Sequence, residues 1–129
     1  MKRIITAAGA VAALTLFAVP AQAQEMMGEK PEGHQMTITG TVVDISCKFG
    51  LGQTGEGHRM CAQVCADKGI PLVILGSDGT LYIPTSTDMP GGNQNERLKE
   101  FAEQEVRVTG TVFEAGGAKA IQIERISRS

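Results

Sequence analysis

Hydrophobic residues alternate with polar ones along much of the chain, and a period of two residues is typical of half-buried β-strands. The alternating stretches are residues 36–47, 106–112 and 120–126. Two short apolar segments, 71–75 and 81–83, flank the turn-forming sequence Ser-Asp-Gly, which indicates a hairpin. The pattern therefore predicts five strands.

Two other segments lack this alternation and have helical features. Residues 58–68 contain no Pro or Gly and are followed by Gly69, a common C-terminal signal of a helix. Residues 96–104 place Leu98, Phe101 and Ala102 on one side, with Asn93 or Asn95 as the N-cap. The glutamates of this second segment predict a solvated face, and they are Glu96, Glu100, Glu103 and Glu105.

The predicted order is strand, helix, strand, strand, helix, strand, strand. Five strands with a helix between the third and the fourth follow the order of an OB-fold barrel. We therefore predict a mainly β protein, a five-stranded OB-like β-barrel with two helices, of which the extra one lies between strands 1 and 2. The alternative is a generic α+β sandwich, but a closed barrel leaves fewer exposed sheet edges.

The N-terminal region predicts export. Two basic residues precede an uncharged segment, 4–19, and Ala21-Gln22-Ala23 matches a signal peptidase site. The uncharged segment is shorter than a membrane-spanning helix requires. We expect a signal peptide over 1–23, a flexible leader over 24–35 and the barrel domain over 36–127. The protein would then be periplasmic or secreted, with no stable membrane anchor after cleavage.

Composition excludes several function classes. Without 1–23 the chain has 10 basic and 14 acidic residues, a net charge of −4, which gives no electrostatic attraction to nucleic acid. Trp is absent and aromatic residues are few, so the chain offers no stacking platform for bases. The sequence shows no acid–base dyad, catalytic triad or phosphate-binding loop, and we do not expect an enzyme.

The three cysteines and one histidine form the densest group of reactive side chains. His58, Cys61 and Cys65 have the spacing i, i+3 and i+7, which places them on one face of the predicted helix. Cys47 lies where the first strand ends, and the barrel can return that end to the helix. Thiolates and imidazole are ligands for zinc, and thiolates also select copper(I). We predict a Cys₃His metal site. Asp44 is predicted to form the turn at the end of the strand, and the alternative is that it accepts a hydrogen bond from the imidazole.

Two other interpretations of the cysteines remain open. A disulfide from Cys47 to Cys61 or Cys65 would join the helix to the barrel and leave the third cysteine as a small buried side chain. A thiol–disulfide redox protein would need a thiol with a lowered pKa, but the usual Cys-x-x-Cys motif is absent. The odd number of cysteines and the shared helix face favour the metal site.

Three segments carry a resemblance to a known family. They are Asp44-x-x-Cys47, His58-x-x-Cys61-x-x-x-Cys65 and Val106-x-Val108-Thr109-Gly110-Thr111, together with Gly69 and Tyr82. The chain resembles small exported bacterial proteins that are built on an OB-like barrel and share a Cys…His-x-x-Cys-x-x-x-Cys motif. The resemblance covers most of 38–126 and implies the fold, but it brings no settled activity. The partners we expect are a metal ion and another exported protein.

Overall fold

The computed structural model describes residues 28–129. The predicted signal peptide, 1–23, and the first residues of the predicted leader lie outside the described residues. Within 28–129, no helix combines the length and the apolar character that crossing a bilayer requires.

Five strands form the body of the described chain. They are β1 (Gly33–Asp44), β2 (Leu72–Gly76), β3 (Leu81–Pro84), β4 (Glu105–Ala115) and β5 (Ala118–Arg128). The helical elements are a π-helical turn (Cys47–Leu51), a 3₁₀ turn (Glu56–His58) that leads into helix α1 (Arg59–Asp67), and a short helix α2 (Asn95–Leu98) continued by a 3₁₀ turn (Lys99–Phe101). The strands outweigh the helices, as predicted.

The strands close into a barrel in the order β1-β2-β3-β5-β4. All pairings are antiparallel except that of β3 with β5, where Tyr82 lies opposite Lys119 in a parallel pair. The barrel closes because β1 is long enough to pair with β2 through its C-terminal half and with β4 through most of its length. The five-stranded OB-like order and the helix between strands 1 and 2 are therefore confirmed.

Aliphatic side chains from β1, β2, β4 and β5, together with Tyr82 of β3, fill the barrel. The fully buried members of this core include Val42, Ile74, Leu98, Val106, Val108 and Ile121. The strands also approach closely at Gly110, where a register shift occurs and where an added Cβ would overlap the carbonyl oxygen of Gln122. The alternation of the sequence thus places one side of each strand inside the barrel.

The structure differs from the predicted boundaries at two places. Strand β1 begins at Gly33, which pairs with Phe113, so the last three residues of the predicted leader belong to the strand. The second helix ends sooner than predicted, because the backbone after Phe101 pairs with β1. Glu103 donates its N–H to the Val42 carbonyl at 2.8 Å, and Gln104 accepts the N–H of Val42 at 3.1 Å.

Candidate metal centre

Cys47 is held at the end of β1 by a carboxylate three residues earlier. Asp44 is the last residue of β1, and its Oδ1 accepts the N–H of Cys47 at 2.9 Å. This bond lies at the start of the π-helical turn, which reverses the chain away from the sheet. Ile45 also donates its N–H to the carbonyl of Pro71 at 3.2 Å, just before β2. Cys47 is therefore buried beside the barrel at a defined position.

Cys61 and Cys65 are one turn apart on α1, and the same helix is anchored to the barrel by its small residues. Ala62 and Ala66 are buried, which lets the helix backbone approach the core closely. Gln63 adds a hydrogen bond from Nε2 to the carbonyl of Lys99 at 3.1 Å. The packing leaves Cys61 exposed and Cys65 half-buried.

The three thiols lie together. The Sγ atoms of Cys47, Cys61 and Cys65 are all within 4.8 Å of one another. A tetrahedral zinc ion with Zn–S bonds of about 2.3 Å would place its sulfur ligands about 3.8 Å apart, so each pair needs to contract by no more than about 1 Å. The three cysteines are free and form no disulfide. This geometry can hold a metal ion.

The surroundings of the thiols favour their neutral forms while no cation is bound. Interaction with the nearby Asp44 carboxyl, together with burial, raises the pKa of Cys65 to about 12. Burial also raises the pKa of Cys47, and the charge of Asp44 adds to the effect. A bound cation would reverse this preference, because metal ligation requires the thiolate.

His58 lies at the end of the 3₁₀ turn that precedes α1, but it does not belong to the group of three thiols. Its Nδ1 is 3.1 Å from Oε1 of Glu103, and both side chains are buried. Its Nε2 is buried and has no hydrogen-bond partner among the described residues. The acceptor that orients the imidazole is therefore Glu103, and Asp44 instead stabilises the turn at the end of β1, which is the role that the sequence favoured for it.

Glu103 is the residue of this region that the sequence did not reveal. It was predicted on a solvated helix face, whereas its side chain is fully buried. Its Oε2 accepts the hydroxyl of Thr54 at 3.0 Å and the N–H of Gly55 at 2.8 Å. Because the helix ends before it, Glu103 adopts a φ of 59° and turns towards the loop that joins Cys47 to α1. In the sequence, Glu103 is one of four nearby glutamates, and nothing distinguishes it as the one that is buried against His58.

Comparison of the chain with models of protein families, with curated proteins and with solved structures found no match. The resemblance to exported OB-like proteins stays a prediction. The function is therefore inferred from the geometry of the thiol cluster and the groups next to it.

Proposed function

We propose that this protein is an exported metal-binding module in which Cys47, Cys61 and Cys65 hold zinc or copper(I). Its role would be metal handling, or metal-stabilised binding of another exported protein. The observation that supports this proposal is the meeting of three Sγ atoms within 4.8 Å. Thiolate ligands are typical of closed zinc sites and of copper(I) sites.

The origin of the three thiols strengthens the proposal. Cys61 and Cys65 share a helix face, but Cys47 comes from the end of β1, on the far side of a long loop. A disulfide needs only two of the three, and the remaining thiol would lie close enough to attack it by exchange. A metal ion uses all three sulfur atoms, so it accounts for the whole cluster.

The chemistry of the thiols disfavours a redox enzyme. An attacking thiol in such enzymes has a lowered pKa, commonly near a helix N-terminus or a cation. The pKa values of Cys47 and Cys65 are instead raised by burial and by the Asp44 carboxyl. These two thiols are therefore poor nucleophiles at neutral pH, and a binding role fits them better than catalysis; the third thiol, Cys61, is exposed.

His58 remains a predicted ligand of the proposed site. Its Nδ1 contacts the Glu103 carboxylate, and its Nε2 is free. A carboxylate on one ring nitrogen and a metal on the other is a common arrangement in zinc proteins. To bind the metal, the imidazole would have to move towards the thiols, since it lies outside their group.

Metal analysis combined with thiol counting tests the proposed function. The full chain is expressed with its own N-terminal segment and purified anaerobically. We expect about one equivalent of zinc or copper, and three reactive thiols after denaturation with a chelator. Replacing any one of the three cysteines with Ser should lower the metal content.

The control is Val64→Ser, which introduces the same side chain at an exposed position of α1 between the two helical cysteines. This variant should keep the metal. A wild-type protein with no metal and a single reactive thiol would contradict the proposal and support the disulfide-stapled domain instead.

A further inference from the structure

We propose that Asp44 is the fourth ligand of this site, so that the protein binds zinc through a Cys₃Asp set and prefers zinc to copper(I). The inference rests on the proposed metal-binding function and deepens it by naming the ligand and the preferred ion. It does not require the imidazole of His58.

The first support is the position of the carboxylate. Asp44 is fully buried and lies three residues before Cys47. The bond from the Cys47 N–H to Oδ1, 2.9 Å long, fixes the carboxylate beside the thiol-bearing turn. Asp44 is thus held directly beside Cys47, one of the three proposed sulfur ligands.

The second support is an unpaired atom. Oδ2 of Asp44 is buried and has no hydrogen-bond partner in the part of the chain that the structure describes. A buried carboxylate oxygen without a donor or a cation carries a large desolvation cost. Across residues 28–129, Asp44 forms no ion pair with Lys, Arg or His. A metal ion at the thiols would supply the missing positive charge.

His58 is the other residue with an unpaired buried atom, and the two can be compared directly. The imidazole is already oriented by Glu103, which also holds Thr54 and Gly55 in the preceding loop. Neither residue belongs to the group of ligand atoms that lie within 4.8 Å of one another. Asp44, however, is hydrogen-bonded to one of the three cysteines, whereas His58 is hydrogen-bonded to Glu103. The carboxylate is therefore the group that is tied directly to the thiol-bearing turn.

The donor set decides the expected metal. Zinc accepts thiolate, imidazole and carboxylate ligands in tetrahedral sites. Copper(I) selects soft sulfur ligands and gains little from a hard carboxylate oxygen. Three thiolates and one carboxylate around zinc also carry the same net charge as the common four-thiolate site. A fourth ligand at Asp44 should therefore strengthen zinc binding much more than copper(I) binding.

The test uses Asp44→Asn, because an amide keeps Oδ1 as the acceptor for the Cys47 N–H but removes the charge. Zinc and copper(I) affinities are measured by competition with chromophoric chelators. We expect the zinc affinity of the variant to fall at least about tenfold. Substitution of residues that only hydrogen-bond to a metal ligand already lowers affinity by about 10–100-fold, so the loss of a direct ligand should not be smaller. Copper(I) affinity should change less than about threefold.

The matched control is Asp67→Asn, which removes one negative charge from an exposed carboxylate of α1 that pairs with Lys99. It should leave both affinities within about twofold, since exposed charges are screened. If Asp44→Asn binds zinc as wild type does, the proposal is overturned.

X-ray absorption at the zinc edge of the wild-type protein tests the ligand without any substitution. Three sulfur atoms and one oxygen at about 2.0–2.2 Å would support the proposal. Three sulfurs and the outer-shell scattering of an imidazole would overturn it in favour of His58. A wild-type protein that binds no metal would instead contradict the proposed function itself, so the two failures are distinguishable.

Discussion

At the scale of single residues, the notable feature is a buried carboxylate beside the thiol-bearing turn. Asp44 stabilises the turn at Cys47 through one oxygen while its second oxygen stays unpaired. The same carboxyl raises the pKa of Cys65, so this thiol holds its proton tightly. The unpaired oxygen of Asp44 destabilises the fold while no cation is bound. The same oxygen would become a favourable donor once a cation binds to the thiols.

Metal binding should therefore release protons. The pKa values of Cys47 and Cys65 are raised from 9.0, so both thiols are protonated at pH 7, and ligation must deprotonate them. We expect at least about two protons released per zinc ion, and an apparent affinity that rises as pH increases from about 6 to 9. Calorimetric titration in two buffers of different ionisation enthalpy measures this number. A release below one proton would argue against thiolate ligation.

At the scale of elements, Asn95 joins the helix that carries two of the thiols to the rest of the fold. Its Oδ1 accepts the N–H of Leu72 at 3.0 Å, at the start of β2. Its Nδ2 donates to the carbonyls of Ala66 at 3.0 Å and Ile70 at 2.9 Å, at the end of α1 and just beyond it. Asn95 was predicted as a helix cap, but it is a buried residue whose side-chain hydrogen bonds join α2 to the end of α1 and to the start of β2.

Replacing Asn95 with Ala should destabilise the fold. The change leaves the N–H of Leu72 and the carbonyl of Ile70 without their partner, while the carbonyl of Ala66 keeps the N–H of Gly69 at 3.0 Å. An unsatisfied buried polar group costs about 1–3 kcal/mol. We expect a loss of about 3 kcal/mol in the free energy of unfolding, measured by urea denaturation. Asn93→Ala is the control, since Asn93 makes one hydrogen bond, to the N–H of Asn95 at 3.1 Å. Equal losses in the two variants would contradict this role.

At the scale of the whole molecule, the thiol cluster links distant parts of the chain. Cys47 belongs to the end of β1, while Cys61 and Cys65 belong to a helix outside the barrel. A bound ion would therefore restrain the long connection between β1 and β2, in which residues 50–57 include four glycines. Ligands that bind only the folded state stabilise it according to their affinity and concentration.

Zinc should raise the thermal stability of the protein, and Cys47 should be required for this effect. Free zinc at 100 times its Kd contributes about 2.7 kcal/mol. For a domain of this size we expect the Tm to rise by about 10 °C or more, measured by circular dichroism with and without a chelator. Cys47→Ser should abolish the rise, and Val64→Ser should preserve it. A rise that persists in Cys47→Ser would place the metal elsewhere.

Much of the fold follows from short-range patterns. The period of two along β4 and β5, the turn between β2 and β3, and Gly69 after α1 are local signals, and the barrel follows from their order. The predicted end of the second helix was wrong because Ala102 and Glu103 pair with Val42 of β1. Helix propensity depends on neighbouring residues and cannot predict a contact with a residue 60 positions away. The burial of Glu103 was not predicted for the same reason, because it also depends on this long-range pairing.

The candidate site also has one part that the sequence predicts and another that depends on the tertiary structure. The shared face of Cys61 and Cys65 is a property of helical spacing, so the residue order alone predicts it. The position of Cys47 beside them, the burial of Asp44 and the pairing of His58 with Glu103 depend on how a closed barrel returns the end of β1 to α1. Periodicity acts over a few residues, whereas a coordination sphere is assembled by contacts across the whole domain.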